Sequence, residues 1–172
     1  MDELQELRAE VAALAARLDR LEGGSTTATV PASVTDADDA LWILNGIKSR
    51  VPDPGAVFFA GSVQVAAGPV QWQVGFPTDR ILEADWAAQA QSIAALASPV
   101  RLSILQAVMS GASSVAELSA DEHMGTTGQL YHHLNQLVGQ GWLLSSGRGH
   151  YEIPGERIIP LLVILTAARR TM

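Results

Sequence analysis

Hydrophobic residues recur with different periods along the chain, and the changes of period mark its elements. Over residues 2–22 the repeat is seven: Leu4, Val11 and Leu18 hold one seam position, and Leu7, Leu14 and Leu21 the other. Spacing that alternates three and four is what knobs-into-holes packing between helices requires. The rim charges agree with a parallel pair, Glu3 facing Arg8 of a second copy and Arg17 facing Glu22. The pattern predicts a coiled-coil dimerisation helix. An amphipathic helix packed on its own domain is the alternative. Three heptads are marginal alone, so a second dimer contact is expected.

Gly23-Gly24-Ser25 ends the repeat, and residues 23–35 are small, polar and proline-containing, which predicts a flexible linker. Residues 36–80 read as an extension of one helix and one β-hairpin. Thr35 or Asp36 can cap the helix, and Asp38 and Asp39 suit the positive end of its dipole. Leu41, Leu44 and Ile47 then share a face before Val51-Pro52-Asp53-Pro54-Gly55 turns the chain. Over 56–76 the period becomes two. Val57, Phe59, Val63 and Val65 fall on one face, as do Val70, Trp72, Val74 and Phe76, with Ala66-Ala67-Gly68-Pro69 as the turn. A lone hairpin is barely stable, so this face needs a cover; the preceding helix or a partner subunit is expected to supply it.

Residues 81–172 return to helical spacing. A helix over about 83–97 is expected to point Trp86, Ile93 and Leu96 inward. Ser98 caps the next helix, with Pro99 at its first position, and Gly111 ends it. Ser113 or Ser114 caps a short helix in which Glu117 completes a capping box. After a turn around 121–125, a helix over about 126–138 carries the apolar stripe Leu130, Leu134 and Leu137. Burying that stripe turns Thr127, Gln129, His132 and Gln136 outward, where amide and hydroxyl groups can match base edges in a major groove. Trp142–Leu144 and Tyr151–Ile153 predict two short strands. Arg148, between glycines at their tip, suits a phosphate or minor-groove contact, with a solvated loop arginine as the alternative.

Two stretches carry a resemblance. LASPVRLSILQAVMSG (96–111) and TTGQLYHHLNQLVGQGWL (126–143) resemble the arsenic-repressor (ArsR) family of winged-helix regulators. The shared features are the Ser-Pro-x-Arg-Leu helix start, its Ile-Leu pair, the His-Leu pair and the Gly-Trp-Leu entry to the wing. The resemblance spans roughly residues 84–168. It implies an α+β, mostly helical fold: a winged helix-turn-helix domain preceded by the coil and the extension. It also implies a last helix over 156–169 that helps build a dimer, with Ile158, Leu161, Leu162 and Leu165 as candidate interface residues. The expected function is sequence-specific binding of double-stranded DNA by a homodimer, with higher assembly through the N-terminal coil as an alternative. The DNA-contact candidates are Thr126, Thr127, Gln129, Tyr131, His132, His133, Gln136 and Arg148.

Charge complicates this picture. The net charge is −7, and residues 1–39, with nine acids and three bases, contribute −6 of it. Residues 81–172 hold seven acids and five bases, and no lysine or arginine lies between Gly111 and Gly147. Where the family usually carries an arginine before the histidine, this chain has His132. Phosphate affinity is therefore expected to be weak or pH-dependent. A second function class follows, a ligand-sensing or protein-interaction module with little DNA affinity of its own. Trp42, Phe58, Phe59, Trp72 and Trp86 are candidates for a pocket taking a small hydrophobic ligand, against the alternative of ordinary core packing.

Cysteine is absent, which removes disulfides, thiolate metal sites and cysteine nucleophiles, and residues 156–172 lack histidine and aspartate. No metal site or cofactor is expected. No phosphate-binding loop with a lysine, Gly-x-Ser-x-Gly or His-Glu-x-x-His occurs, so no enzyme is expected. The N-terminus lacks a signal core, and the most apolar run, 158–168, is about half a membrane span. A cytoplasmic protein without a membrane partner is expected.

Overall fold

Prolines and glycines punctuate the chain where its elements begin and end. The computed structural model describes residues 41–120, 124–147 and 149–169. Over them runs α1 (Trp42–Lys48), then a long hairpin of β1 (Ala56–Val65) and β2 (Gly68–Pro77). Helix α2 (Thr78–Glu83), a 3-10 turn (Trp86–Gln89), α3 (Ala90–Leu96), α4 (Pro99–Met109) and α5 (Val115–Leu118) follow. The chain continues with α6 (Thr127–Gly139), a short hairpin of β3 (Leu144–Gly147) and β4 (His150–Glu152), and α7 (Gly155–Ala167). The fold is α+β and mostly helical, with two separate two-stranded sheets. The coil seam (Leu4, Leu7, Val11, Leu14, Leu18 and Leu21), the linker 23–35, the helix start at Thr35–Asp39 and Arg148 lie outside the described residues. Two units divide the chain, Met1–Ile43 and Leu44–Met172. No single helix among the described residues is long and apolar enough to cross a membrane.

The core of the larger unit gathers one apolar face from each of α3 to α7, whereas α2 buries no residue. Leu96 comes from α3, Ile104 and Leu105 from α4, Leu118 from α5, and Leu130, Leu134 and Leu137 from α6. Pro99 starts α4, where its missing N–H costs nothing. Ser98 holds the extended cap conformation, but its side chain makes no capping bond. Trp142 and Leu143, expected to open a strand, instead sit buried below the short hairpin. The Leu137 carbonyl accepts from both their amides, at 2.9 and 3.3 Å, which curls the chain inward before β3 begins. The Trp142 indole N–H donates to the Ser92 carbonyl at 2.9 Å, and the Arg157 guanidinium lies 4.9 Å above the ring.

The expected single helix over 83–97 is broken. Asp85 leaves the helix and its carboxylate accepts from the Ala87 amide at 3.0 Å, starting a new turn with a different phase. Trp86 and Ile93 are therefore turned outward, 64% and 61% exposed, and only Ala95 and Leu96 of α3 are buried. The Trp86 indole N–H is satisfied by the Ile81 carbonyl at 2.7 Å, so a fixed apolar ring faces solvent.

The long hairpin pairs Val57 with Phe76, Phe59 with Val74, Gly61 with Trp72 and Val63 with Val70, which puts the predicted apolar set on one face. Its turn is the two residues Ala66–Ala67, and Gly68 and Pro69 belong to β2. Within one chain another helix supplies cover. Helix α7 packs on both strands, and the buried Ile159 side chain fills the space over Gly61. A Cβ on Gly61 would stand 2.6 Å from the Ile159 Cδ1. Gly61→Val should therefore push the hairpin off α7 at a cost of about 1–3 kcal/mol. Ser62→Val, on the opposite and exposed face, should cost far less; thermal unfolding of the two variants checks the contrast.

Two of the four dimer candidates on α7 are used internally. Ile158 and Leu161 are already buried within a single chain, at 5% and 1% exposed. The helix stripe reveals an apolar face without saying what covers it. Leu162 is half-buried and Leu165 exposed. Pro160 lies inside α7.

Candidate nucleic-acid interface

Two consecutive helix starts frame the candidate surface, and each is built from its own residues. Ser114 caps α5: its hydroxyl accepts from the Glu117 amide while the Glu117 carboxylate accepts from the Ser113 and Ser114 amides, both at 2.8 Å. Those backbone N–H groups, first Ser113 and then Ser114, together with the Ser114 hydroxyl, hold the Glu117 carboxyl down to about 2. Thr126 caps α6 the same way. Its hydroxyl accepts from the Gln129 amide, and the Gln129 side-chain oxygen accepts from the Thr126 amide at 2.9 Å.

With α6 so started, the i, i+4, i+7 spacing turns Leu130, Leu134 and Leu137 into the core. Thr126, Thr127, Gln129, Tyr131, His132 and Gln136 all face outward. His133 is half-buried beside His132, the two rings meeting edge to face with centroids 5.7 Å apart. Thus seven of the eight DNA-contact candidates lie on one helix or its cap. The eighth, Arg148, is outside the described residues.

The short hairpin is tied to the start of α5. The Tyr151 amide donates to the Ser113 carbonyl at 2.7 Å, and the Val115 amide to the Gly149 carbonyl at 3.1 Å. Ser114 and His150 complete an isolated antiparallel bridge. This fixes the hairpin relative to the helix that precedes α6.

Sequence reasoning overlooked Arg101. From the first turn of α4 its guanidinium donates to the Ala94 and Ala95 carbonyls at the end of α3 and to the Gln136 side-chain oxygen, the last at 2.6 Å. One side chain thus closes the C-terminus of α3 and holds a candidate base-reading residue of α6. It also places a positive charge beside a helix that has no lysine or arginine of its own. The available signal was an arginine just inside a helix that directly follows another helix, whose last carbonyls need donors.

His133 is held below the ordinary imidazole range, chiefly by burial, with the charges of Arg101 and His132 adding to it. Its Nδ1 is buried without a hydrogen-bond partner. The unfolded chain takes up this proton near the ordinary value of 6.5, whereas the folded chain resists it until a lower pH. The stabilising difference is complete above the ordinary value and is lost as pH falls through the depressed one. The urea midpoint should thus decline as pH falls below the ordinary value of 6.5, and His133→Gln should flatten that decline.

The aromatic pocket candidates within the larger unit, Phe58, Phe59, Trp72 and Trp86, do not converge. Phe58 and Phe59 lie on opposite faces of β1, Phe58 over Gly75 and Phe59 stacked on Phe76 at 6.4 Å. Successive strand residues point to opposite faces, so one pocket cannot take both. Trp72 and Trp86 are exposed, and Trp42 is 66% exposed. Among the described residues no group of three histidine or acidic side chains is placed to hold a metal ion. Neither a family model, nor a curated protein, nor a solved structure matches the chain.

Proposed function

We propose that the protein is a sequence-specific, double-stranded DNA-binding transcriptional regulator that acts as a homodimer. Helix α6 enters the major groove and the β3–β4 hairpin runs along the flank. The observation that carries this reading is the division of α6: three leucines buried, and Thr127, Gln129, Tyr131, His132 and Gln136 exposed. The order α4, α5, α6, hairpin is compatible with a winged helix-turn-helix, and the ArsR-like stretches 96–111 and 126–143 support the same assignment.

A second copy accounts for apolar surface that one chain leaves bare. Leu82, Trp86 and Ile93 before α4, and Ile164 and Leu165 on α7, are all exposed. Two-fold pairing implies a near-palindromic DNA site.

Genome-wide mapping of bound sites, followed by a salt titration on the best site, tests the proposal. Sharp enrichment at palindromes is expected. Few cations flank α6, so affinity should fall with salt less steeply than for a basic regulator. A flat binding profile would favour the second reading, a ligand-sensing or protein-interaction module with little intrinsic DNA affinity. The specific support for that reading is the absence of lysine and arginine over residues 112–146.

A further inference from the structure

The tip of the long hairpin is latched to the body of the protein. The Ala66 amide donates to the Met109 carbonyl, the last residue of α4, at 3.3 Å. Gly111, at φ 111°, makes room for it: a Cβ there would stand 3.3 Å from that of Ala66. Behind the latch lies a pocket of about 280 Å³. Three parts of the chain wall it: the hairpin tip at Val65–Ala67, the end of α4 with the loop to Ser113, and β4 with the residues that follow it.

The space exists because the residues meeting there are small. Ala66, Ala67, Gly111 and Ala112 surround a volume that larger side chains would close. Protein interiors hold few voids larger than a water molecule, and small-molecule sites begin near 300 Å³. Val108, Met109, Ile153 and Ile158 make the wall mostly apolar. The polar residues along it are Ser113, Tyr151 and Glu152, and of the lining residues only Glu152 is charged. An anion would find no cation among the lining residues, and one acid beside them.

We propose that this pocket binds a small apolar molecule of roughly ten non-hydrogen atoms, neutral or bearing an amine. A molecule seated there touches the hairpin tip and the strand β4 at once. It joins the extension to the short hairpin that is tied to α5. Binding itself does not depend on the DNA-binding reading; only a regulatory consequence of it rests on that reading.

Thermal unfolding of the full chain without DNA keeps the two questions separate. The probes are benzyl alcohol, benzylamine and benzoate, alike in shape and different in charge. Benzyl alcohol and benzylamine at millimolar concentration should each raise Tm saturably by about 3 °C or more, and benzoate should not. Glu152→Gln should reduce the benzylamine response and leave that of benzyl alcohol. Ala67→Phe, at the exposed tip, and Ala112→Leu, from the opposite wall, should each abolish both responses. No shift with either favoured probe, an equal shift with benzoate, or a full response in both filled variants would overturn the proposal.

Discussion

Leu134→Ala is expected to cost the protein about 3–5 kcal/mol, at the upper end for a leucine removed from a core. Leu134 is 0% exposed and stands in the middle of the stripe of α6, a helix that packs against α4. Domains of this size are stable by only about 5–15 kcal/mol, so the loss takes a large part of the margin. Urea unfolding should show a lower midpoint with an unchanged slope. Leu165→Ala, at an exposed position of α7, should cost well under half as much in the monomer. A loss below about 1 kcal/mol at Leu134 would mean that the stripe is not the packed face of α6. The polar face would then have no claim to be the free one.

The second large effect concerns recognition. Tyr131→Ala combined with His132→Ala should lower affinity for the best genomic site by about 100-fold, from two contacts of roughly 1–3 kcal/mol each. Both residues are exposed and neither makes a structural hydrogen bond among the described residues, so stability should barely move. Binding to unrelated duplex should change little, because phosphate contacts carry that part. Gln129→Ala and Arg101→Ala are poorer probes. The first also opens the capping box of α6, and the second frees the end of α3. Unchanged affinity for the genomic site in the double variant, or equal loss on every duplex, would remove α6 as the reading element.

The elements of the C-terminal half were legible because their signals are local. The Ser114–Glu117 pair, the i, i+4, i+7 leucines and the glycine at 111 each act within a few residues. The two faces of the long hairpin were legible for the same reason, through strict alternation, although its turn is Ala66–Ala67 rather than 66–69. Less legible was which surface covers an apolar face. Ile158 and Leu161 look identical in sequence whether they meet their own core or a second copy. Trp86 and Ile93 were placed inward on the assumption of one unbroken helix, and the Asp85 cap resets the phase. The aromatic cluster failed on a rule that was available: Phe58 and Phe59 are neighbours in a strand and must diverge. Arg101 was invisible as a partner of Gln136 because the two are 35 residues apart.

The closure of the first turn of α6 limits what Gln129 has left to offer. Its oxygen is occupied by the Thr126 amide and hydroxyl, at 2.9 and 3.1 Å. Only the amino half of the carboxamide remains for a duplex, and it donates without accepting. In the major groove cytosine presents only a donor, so it is mute to such a group, and the two-point match that singles out adenine is lost. The vocabulary at that position shrinks to single acceptors: guanine, thymine, or the N7 of adenine.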